Sequence, residues 1–317
     1  MKSGVICLGE ALIDFIPTDA TNTFYEKCPG GAPANVAVGL AKLGVPADFI
    51  GKVGKDPLGA FLIDTLRNYG VNVSGMAVGD EAKTGFTFVT LDESGDRDFD
   101  FFIRPSADQF LNESDIDQSA FRGKKLLHLG TISMISKMSR GATKKAIRLA
   151  KDEGLLVSFD PNIRFGLWDS EDQVKEAIVE VLPDTDLLKV SEEELSFLTG
   201  KEEIAEGVRS LESYGIPMIV VTQGAEGSLV FTHDAEIKVQ AMKVEAVDTT
   251  GAGDAYVSGI LCGLHESDKP LSDLDENELL EIARLASVSG GLAASNKGAM
   301  SALPDLAEVT KRLREQG

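Results

Sequence analysis

The chain has 317 residues, of which 43% are hydrophobic, and carries 51 acidic against 31 basic side chains, for a formal net charge of −20. This length and composition predict a substantial core in one large domain, with or without a small accessory. The negative charge should repel nucleic acid and anionic membranes, so we expect neither as a partner. The acidity indicates either solubility alone or adaptation to a saline interior, where counterions screen the self-repulsion.

The cysteines, histidines and apolar runs argue against several classes of site. Cys7, Cys28 and Cys262 are widely spaced and form no CxxC pair, which favours buried thiols over disulfides or a zinc site. The three histidines are far apart in the sequence, which argues against a triad hydrolase or a His-rich metal site. With no secretory signal and no apolar run long enough to span a membrane, we expect a cytoplasmic protein.

Two short apolar runs open the chain. Residues 5–8 predict a strand, and residues 12–16 predict a second run that Asp14 interrupts. A charge at the edge of a buried strand is either paired or functional. Because Gly9 lies nearby, we favour a ligand-facing role for Asp14.

Residues 28–43 predict a glycine turn that leads into a helix. Gly30 and Gly31 form the turn, and Pro33 suits the first helical turn. Asn35 lies in that first turn. Its amide either caps the helix or points back towards the glycines, where it could bind a hydroxylated ligand.

The segment from residue 71 to residue 104 has a different pattern of apolar and polar residues from its surroundings. It follows a predicted strand at 47–53 and an amphipathic helix at 57–69. Its apolar and polar residues alternate and show no helical period. It predicts a hairpin with a turn at 92–96. Strands from residues 12–27 and 72–104 together predict a small antiparallel sheet whose aromatic face serves as a lid and a dimer contact.

After Arg104 the chain becomes a regular α/β protein. Strands are predicted at 125–129, 155–160, 187–190, 218–222 and 228–232, and helices at 139–153, 170–182, 192–198, 202–214, 274–296 and 305–314. This alternation predicts a parallel sheet covered by helices on both faces. Ligands of such sheets bind at the carboxyl ends of the strands. The polar residues predicted at those ends are Asp160, Asn162, Arg164, Lys189, Glu194 and Thr222.

Three polar stretches at those strand ends each have a structural and a functional interpretation. In the stretch D-P-N-I-R, Arg164 either pairs with Asp160 at the surface or offers forked donors to an oxyanion. Ser191 and Glu194 either cap a helix or help to hold Mg²⁺. The stretch T-Q-G-A-E-G at 222–227 is typical of a nucleotide turn, although glycine turns after strands are common.

The stretch A-V-D-T-T-G-A-G-D-A-Y at 246–256 predicts a glycine turn that feeds a helix. The first N–H groups of a helix lack internal partners and, with the helix dipole, favour an anion. Small residues at Gly251 and Gly253 let a phosphate approach closely. A carboxylate at Asp254 would repel a resting anion, but it is explained if it takes a proton from a hydroxyl that attacks phosphorus. The alternative is an ordinary first-turn acid.

Two rival nucleotide motifs are absent from the sequence. No G-x-x-x-x-G-K-[ST] occurs, which excludes a Walker-type NTPase, and no G-x-G-x-x-G follows the first strand, which argues against a nicotinamide dehydrogenase.

Two separate motifs make the chain resemble the ribokinase-like (PfkB) carbohydrate kinases along its whole length. The amino-terminal signature of that family is similar to Gly30-Gly31-Ala32-Pro33-Ala34-Asn35, and the carboxy-terminal one to Asp248-Thr249-Thr250-Gly251-Ala252-Gly253-Asp254. The resemblance implies one kinase domain over residues 1–317, a three-layer α/β sandwich with a mainly parallel central sheet and a small β-sheet lid. Within the family, D-P-N-I-R followed by Leu167-Trp168, and R-P-S-A-D at 104–108, resemble fructokinases.

The resemblance also implies roles for individual residues. Asp254 is the base, the residues Gly251, Ala252, Gly253 and Asp254 form the anion hole, and Arg164 steadies the substrate or phosphate end. The implied sugar-binding residues are Asp14, Gly30, Gly31, Asn35, Phe101, Ile103, Arg104 and Asp254. The implied ATP-binding residues are Lys189, Glu194, Thr222, Gly224, Gly227, Gly251, Gly253, Asn296 and Gly298. Glu194 would act on Mg²⁺ indirectly, and Asp248 and Thr250 would bind a monovalent cation such as K⁺.

One departure from the family pattern affects the magnesium site. The family's N-x-x-E motif appears here as Ser191-Glu-Glu-Glu194, which leaves Glu194 as the stronger candidate. The expected activity is ATP-dependent phosphorylation of fructose, by a homodimer that contacts through the lid. Another hexose, ketodeoxygluconate or nucleoside kinase, or a sugar sensor without catalysis, remain alternatives.

Overall fold

The computed structural model describes residues 2–19, 21–91, 97–102 and 104–316. Within these residues the first half of the chain contains β1 (Val5–Leu8), β2 (Leu12–Pro17), β3 (Tyr25–Gly30), α1 (Ala32–Lys42), β4 (Ala47–Gly54), α2 (Pro57–Asn68), β5 (Asn72–Gly79), β6 (Phe86–Leu91), β7 (Arg97–Phe101), β8 (Leu126–Leu129) and α3 (Lys137–Asp152). The second half contains β9 (Leu156–Phe159), α4 (Glu171–Val181), β10 (Leu187–Ser191), α5 (Glu192–Thr199), α6 (Ile204–Ser210), β11 (Met218–Thr222), β12 (Ser228–Thr232), β13 (Glu236–Val239), α7 (Ala252–Glu266), α8 (Glu276–Ala294) and α9 (Leu306–Gln316).

The main sheet has nine strands in the order β13-β12-β11-β10-β9-β8-β1-β4-β5. The pairs from β5 to β11 are parallel, and β12 and β13 join antiparallel at one edge. Strands β1 and β8 are buried along their whole length, as expected for a sheet covered on both faces. The predicted mainly parallel α/β architecture is therefore confirmed.

Helices on the two faces of the sheet enclose two hydrophobic cores. Successive side chains of a strand point to opposite faces. Accordingly, Val5 and Cys7 of β1 pack into the core beneath α1, α2, α7 and α8, whereas Ile6 and Leu8 pack into the core beneath α3, α4 and α5. Among the described helices, none is long and apolar enough to cross a bilayer.

The predicted lid is a separate four-stranded sheet with the order β3-β2-β6-β7. Two of its pairs are antiparallel, but β2 and β6 run parallel, so the sheet is mixed rather than purely antiparallel. The antiparallel pairing of β6 and β7 is that of the predicted hairpin; its turn at 92–96 lies outside the described residues.

The prediction that the lid extends from residue 72 to 104 is wrong for its first part. Residues 72–79 form β5, which pairs in parallel with β4 at the edge of the main sheet. An edge strand covered on one side only shows the same polar–apolar alternation as a lid strand, and the pattern alone could not separate them. Strand β13, at the other edge, was not predicted.

Candidate active site

A cavity of about 620 Å³ lies between the lid and the carboxyl end of the main sheet. It is lined from five directions: β2 and the lid, the start of α1, the loop after β9, the junction of β10 with α5, and the start of α7. The predicted site residues that line it are Asp14, Gly31, Asn35, Phe101, Arg164, Lys189, Glu194, Thr250, Gly251, Gly253 and Asp254. Stretches far apart in the sequence therefore meet at one place.

Helix α7 begins at the glycine turn and points its first turn into this cavity. Gly251 is the N-cap residue with φ 77°, a left-handed conformation that glycine adopts without strain. The Ala252 N–H donates to the Thr249 carbonyl at 3.1 Å, so it is used within the turn. The N–H groups of Gly253 and Asp254 lie where a helix has no acceptor four residues back, and they are the amides suited to an anion.

Both carboxylate oxygens of Asp254 accept hydrogen bonds from side-chain amides. Asn35 donates from Nδ2 to Oδ2 at 2.7 Å, and Asn162 donates from Nδ2 to Oδ1 at 3.3 Å. Asp254 is only 6% exposed, and this burial raises its pKa to about 6, while the hydrogen bond from Asn35 acts in the opposite direction. A buried carboxylate with such a pKa can accept a proton near neutral pH.

The side of the cavity formed by β2 and the start of α1 is acidic. Burial raises the pKa of Asp14 to about 6, although the positive charge of Arg164 opposes the shift. A Cβ on Gly30 would lie 2.3 Å from Oδ2 of Asp14, so a side chain there would displace the Asp14 carboxylate. Gly31 has φ 104°, and a Cβ there would lie 2.4 Å from the Glu10 carbonyl oxygen.

Glu10 is a cavity residue that the sequence analysis did not single out. Its Oε1 accepts the Ala32 N–H at 2.9 Å, at the first residue of α1. The side chain is 3% exposed, and burial raises its pKa to about 8. The available signal was an acid placed between two apolar strands, the same signal that pointed to Asp14.

Lys189 and Asp160 form a buried ion pair beside the start of α7. Lys189 Nζ lies 3.3 Å from Oδ1 and 3.1 Å from Oδ2 of Asp160. Burial disfavours the charge on Lys189, but Asp160 and Glu194 together hold its pKa above the usual value. A Cβ added to Gly253 would be 3.7 Å from this ammonium. The cation therefore lies next to the amides that an anion would contact.

Glu194 caps helix α5, which is one of the two roles that the sequence allowed for it. Its carboxylate accepts the N–H of Ser191 at 2.9 Å and the N–H of Ile163 at 2.8 Å, and the Ser191 hydroxyl accepts the Glu194 N–H. This capping box starts α5 and ties the loop after β9 to it. In the same loop, Arg164 donates to the Ile163 carbonyl at 3.2 Å while it lines the cavity.

Several predicted site residues do not line the cavity. Among the described residues these are Gly30, Arg104, Asp248, Ala252, Thr222, Gly224, Gly227, Asn296 and Gly298. Arg104 is exposed, and Ile103 lies outside the described residues. Asn296 donates from Nδ2 to the Leu292 carbonyl at 2.9 Å, at the end of α8.

Asp248 joins the glycine turn before α7 to the loop after α8. Its Oδ1 accepts the Thr250 N–H and its Oδ2 accepts the Gly298 N–H, each at 3.0 Å. The side chain is buried. Asp248 therefore links the segment predicted to bind a monovalent cation to the segment around Gly298 that is predicted to bind ATP.

Comparison with known proteins gives consistent results. Residues 2–306 match the pfkB family of carbohydrate kinases. The chain is 42% identical over 316 residues to probable fructokinase-6, chloroplastic, of Arabidopsis thaliana, covering 98% of this chain and 82% of that protein.

Two solved structures are also similar. A double mutant of the Vibrio cholerae O395 fructokinase, in fructose-, ADP- and potassium-bound form, is 39% identical, with a TM-score of 0.90 and coverage of 98% of this chain and 99% of that one. The Xylella fastidiosa fructokinase with bound ATP is 32% identical, with a TM-score of 0.92 and coverage of 100% and 99%. The chain described here belongs to the pfkB family of carbohydrate kinases.

Proposed function

We propose that the protein is an ATP-dependent fructokinase that converts D-fructose to fructose 6-phosphate. The proposal rests above all on one observation: the buried carboxylate of Asp254 lies in the first turn of a helix whose N-terminus opens into the same cavity as Asp14 and Asn35. A proton acceptor and an anion-binding helix end are the two groups that phosphoryl transfer to an alcohol requires. The similarity to fructokinases indicates fructose as the sugar.

Asp254 takes the proton from the terminal hydroxyl of the sugar as that oxygen attacks the γ-phosphorus of ATP, and the bond from this phosphorus to the β–γ bridging oxygen breaks to release ADP. The amides of Gly251 and Gly253, with that of Asp254 itself, stabilise the charge that develops on the transferred group. Lys189 adds a fixed positive charge beside them, and Arg164 faces the substrate from the loop after β9. The lid keeps water out of the cavity and so limits hydrolysis of ATP.

The acidic lining supports a neutral sugar over an anionic one. Asp14, Glu10 and Asp254 can accept hydrogen bonds from hydroxyls, and Gly31 and Asn35 lie between them. The carboxylates of Asp14 and Asp254 disfavour the carboxylate of ketodeoxygluconate, since Lys189 is paired with Asp160 and leaves Arg164 to oppose them. Phe101 closes the cavity from the lid side.

ATP extends from the cavity over the neighbouring surface of the sheet. We assign its path to Thr222, Gly224 and Gly227 on one side and to Asn296 and Gly298 on the other. Mg²⁺ would be held mainly by the phosphates, with Glu194 as the candidate for a water-mediated contact, and it would neutralise phosphate charge. Asp248 and Thr250 are the candidates for a monovalent cation. Their chemistry fits such an ion, because the buried carboxylate of Asp248 and the hydroxyl of Thr250 are hard oxygen ligands.

A panel of acceptor sugars tests this function. In a coupled ADP-release assay, fructose should give a kcat/KM at least about tenfold above glucose, ketodeoxygluconate and adenosine. A higher value for any of these would contradict the assignment. Tight fructose binding without ADP release would instead favour the non-catalytic sensor.

We further propose a homodimer that contacts through the outer face of the lid. That face carries a cluster of aromatic rings, Phe15, Tyr25, Phe86, Phe88 and Phe102, with centroids 5.0–5.8 Å apart. Phe102 is 57% exposed. Sedimentation of the wild type and of Phe102→Asp tests the contact: the variant should be monomeric where the wild type is dimeric. A cytoplasmic location stays a prediction, since one relative is named chloroplastic.

A further inference from the structure

We infer that Asn162 is a positioning residue for Asp254: its side-chain amide holds one carboxylate oxygen while Asn35 holds the other, so that the carboxylate faces the sugar hydroxyl in a fixed orientation. The inference rests on the proposed role of Asp254 as the base. It adds a residue from the loop after β9 that is separated from Asp254 by 92 positions in the sequence. Asn162 lines the same cavity.

The backbone of Asn162 is held in an unfavourable conformation to make this contact. Its φ is 43°, and within the described residues only one other non-glycine residue, Asn22, has a positive φ. Residues with a side chain are strained in this region, and such strain is concentrated at functional sites. Asparagine tolerates the conformation better than most residues.

The neighbours of Asn162 on both sides fix the strained backbone. The carbonyl of Pro161 accepts hydrogen bonds from the Thr131 hydroxyl at 2.6 Å and the Thr131 N–H at 3.2 Å. The N–H of Ile163 donates to Glu194 at 2.8 Å. Because the two flanking peptide groups are anchored in the loop after β8 and in α5, the direction of the Asn162 side chain is set by the fold.

The side-chain amides of Asn35 and Asn162 each hold a different oxygen of Asp254. Asn35 holds Oδ2 from α1, and Asn162 holds Oδ1 from the opposite wall of the cavity. A single donor leaves the carboxylate free to rotate about its Cβ–Cγ bond, whereas two donors on different oxygens fix its plane. Other charged groups also act on Asp254: Asp160, Arg164, Lys189, Asp14 and Glu10.

The test compares Asn162→Gly with the matched control Asn22→Gly. Glycine adopts a positive φ freely, so each variant removes an amide without imposing a new backbone strain. Asn22 lies in the turn between β2 and β3 and does not line the cavity in the described part of the chain. Steady-state kinetics with fructose, the pH profile of kcat/KM and the thermal midpoint are measured for both variants and the wild type.

For Asn162→Gly we expect kcat to fall roughly 10- to 100-fold, since misplacing a reacting group by a fraction of an ångström has effects of this size. The KM for fructose should stay within about twofold, because the amide acts through Asp254 rather than on the sugar. Loss of a donor to the charged form should move the acidic limb of kcat/KM up by about half a pH unit. The thermal midpoint should be unchanged or higher, as in Asn22→Gly.

Three outcomes would overturn the inference. The first is near-normal turnover by Asn162→Gly. The second is a raised KM with an unchanged kcat, which makes Asn162 a sugar ligand. The third is lost activity together with a lowered thermal midpoint and an unmoved acidic limb, which makes its role structural. Wild-type protein that fails to phosphorylate fructose would instead refute the proposed function, so the two failures are distinguishable.

Discussion

Asn35 and Asp254, separated by 219 positions in the sequence, share a buried hydrogen bond of 2.7 Å at the first turns of α1 and α7. The two helices approach closely behind this contact: a Cβ on Gly39 would lie 2.3 Å from the hydroxyl oxygen of Ser258. That hydroxyl also bonds the Val36 carbonyl at 3.3 Å. Helices α1 and α7 are therefore packed tightly against each other, with the Asp254 carboxylate between their N-termini.

Replacing Glu10 by Gln should stabilise the protein at neutral and alkaline pH. Burial raises the Glu10 pKa from 4.5 to about 8. Between these values the native state retains a proton that the unfolded chain has released, so the wild type loses stability as pH rises through this window. Glutamine has no such loss, and its amide oxygen can still accept the Ala32 N–H.

The gain for Glu10→Gln should reach on the order of 2–4 kcal/mol at pH 8 and shrink towards pH 5. Urea unfolding at a series of pH values measures it, with the exposed Glu226→Gln as a control that should change little at any pH. A gain for Glu10→Gln that does not depend on pH would refute the assignment of a buried, perturbed carboxyl.

Replacing Lys189 by Met should reduce both stability and turnover. It leaves Asp160 as an unpaired buried charge, which costs about 3–5 kcal/mol. It also removes the cation beside Gly253, so kcat should fall about 100-fold or more. Adding Asp160→Asn removes the stranded charge and should restore most of the stability. Turnover should stay low in the double variant; recovery of turnover with stability would show that Lys189 has a purely structural role.

Replacing Gly31 by Ala should be far more damaging than replacing Gly70 by Ala. Both glycines have positive φ, 104° and 87°, so both variants carry the same kind of backbone strain, about 1–2 kcal/mol. Only at Gly31 does the new Cβ meet backbone, 2.4 Å from the Glu10 carbonyl oxygen; at Gly70 no atom lies within 4 Å. Unfolding free energies and fructose turnover test the difference, and equal losses in the two variants would contradict it.

The sequence predicts the main architecture because apolar strands and amphipathic helices alternate after residue 104, and a parallel sheet is the arrangement that buries both. It could not assign β5, because an edge strand of the main sheet has the same alternation as a lid strand. Nor does it predict β13, a short edge strand with the buried and exposed pattern of a polar loop.

The same limit applies within the site. Glycine turns and single acids in apolar surroundings predicted Gly31, Asp14 and Asp254, since local chemistry marks them. The amide of Asn35 was expected to cap α1 or to face the glycine turn, and instead it contacts Asp254. The orientation of Asn162 depends on anchors in α5 and in the loop after β8, which no local pattern reveals.

Turnover of fructose by the variant Asp254→Asn tests the central claim most directly. Asparagine keeps the size of the side chain but cannot accept the proton, so the claim predicts a kcat at least about 1,000-fold below the wild type. The KM for fructose and the thermal midpoint should stay near the wild-type values. A folded Asp254→Asn protein that phosphorylates fructose at close to the wild-type rate would contradict the role of Asp254 as the base.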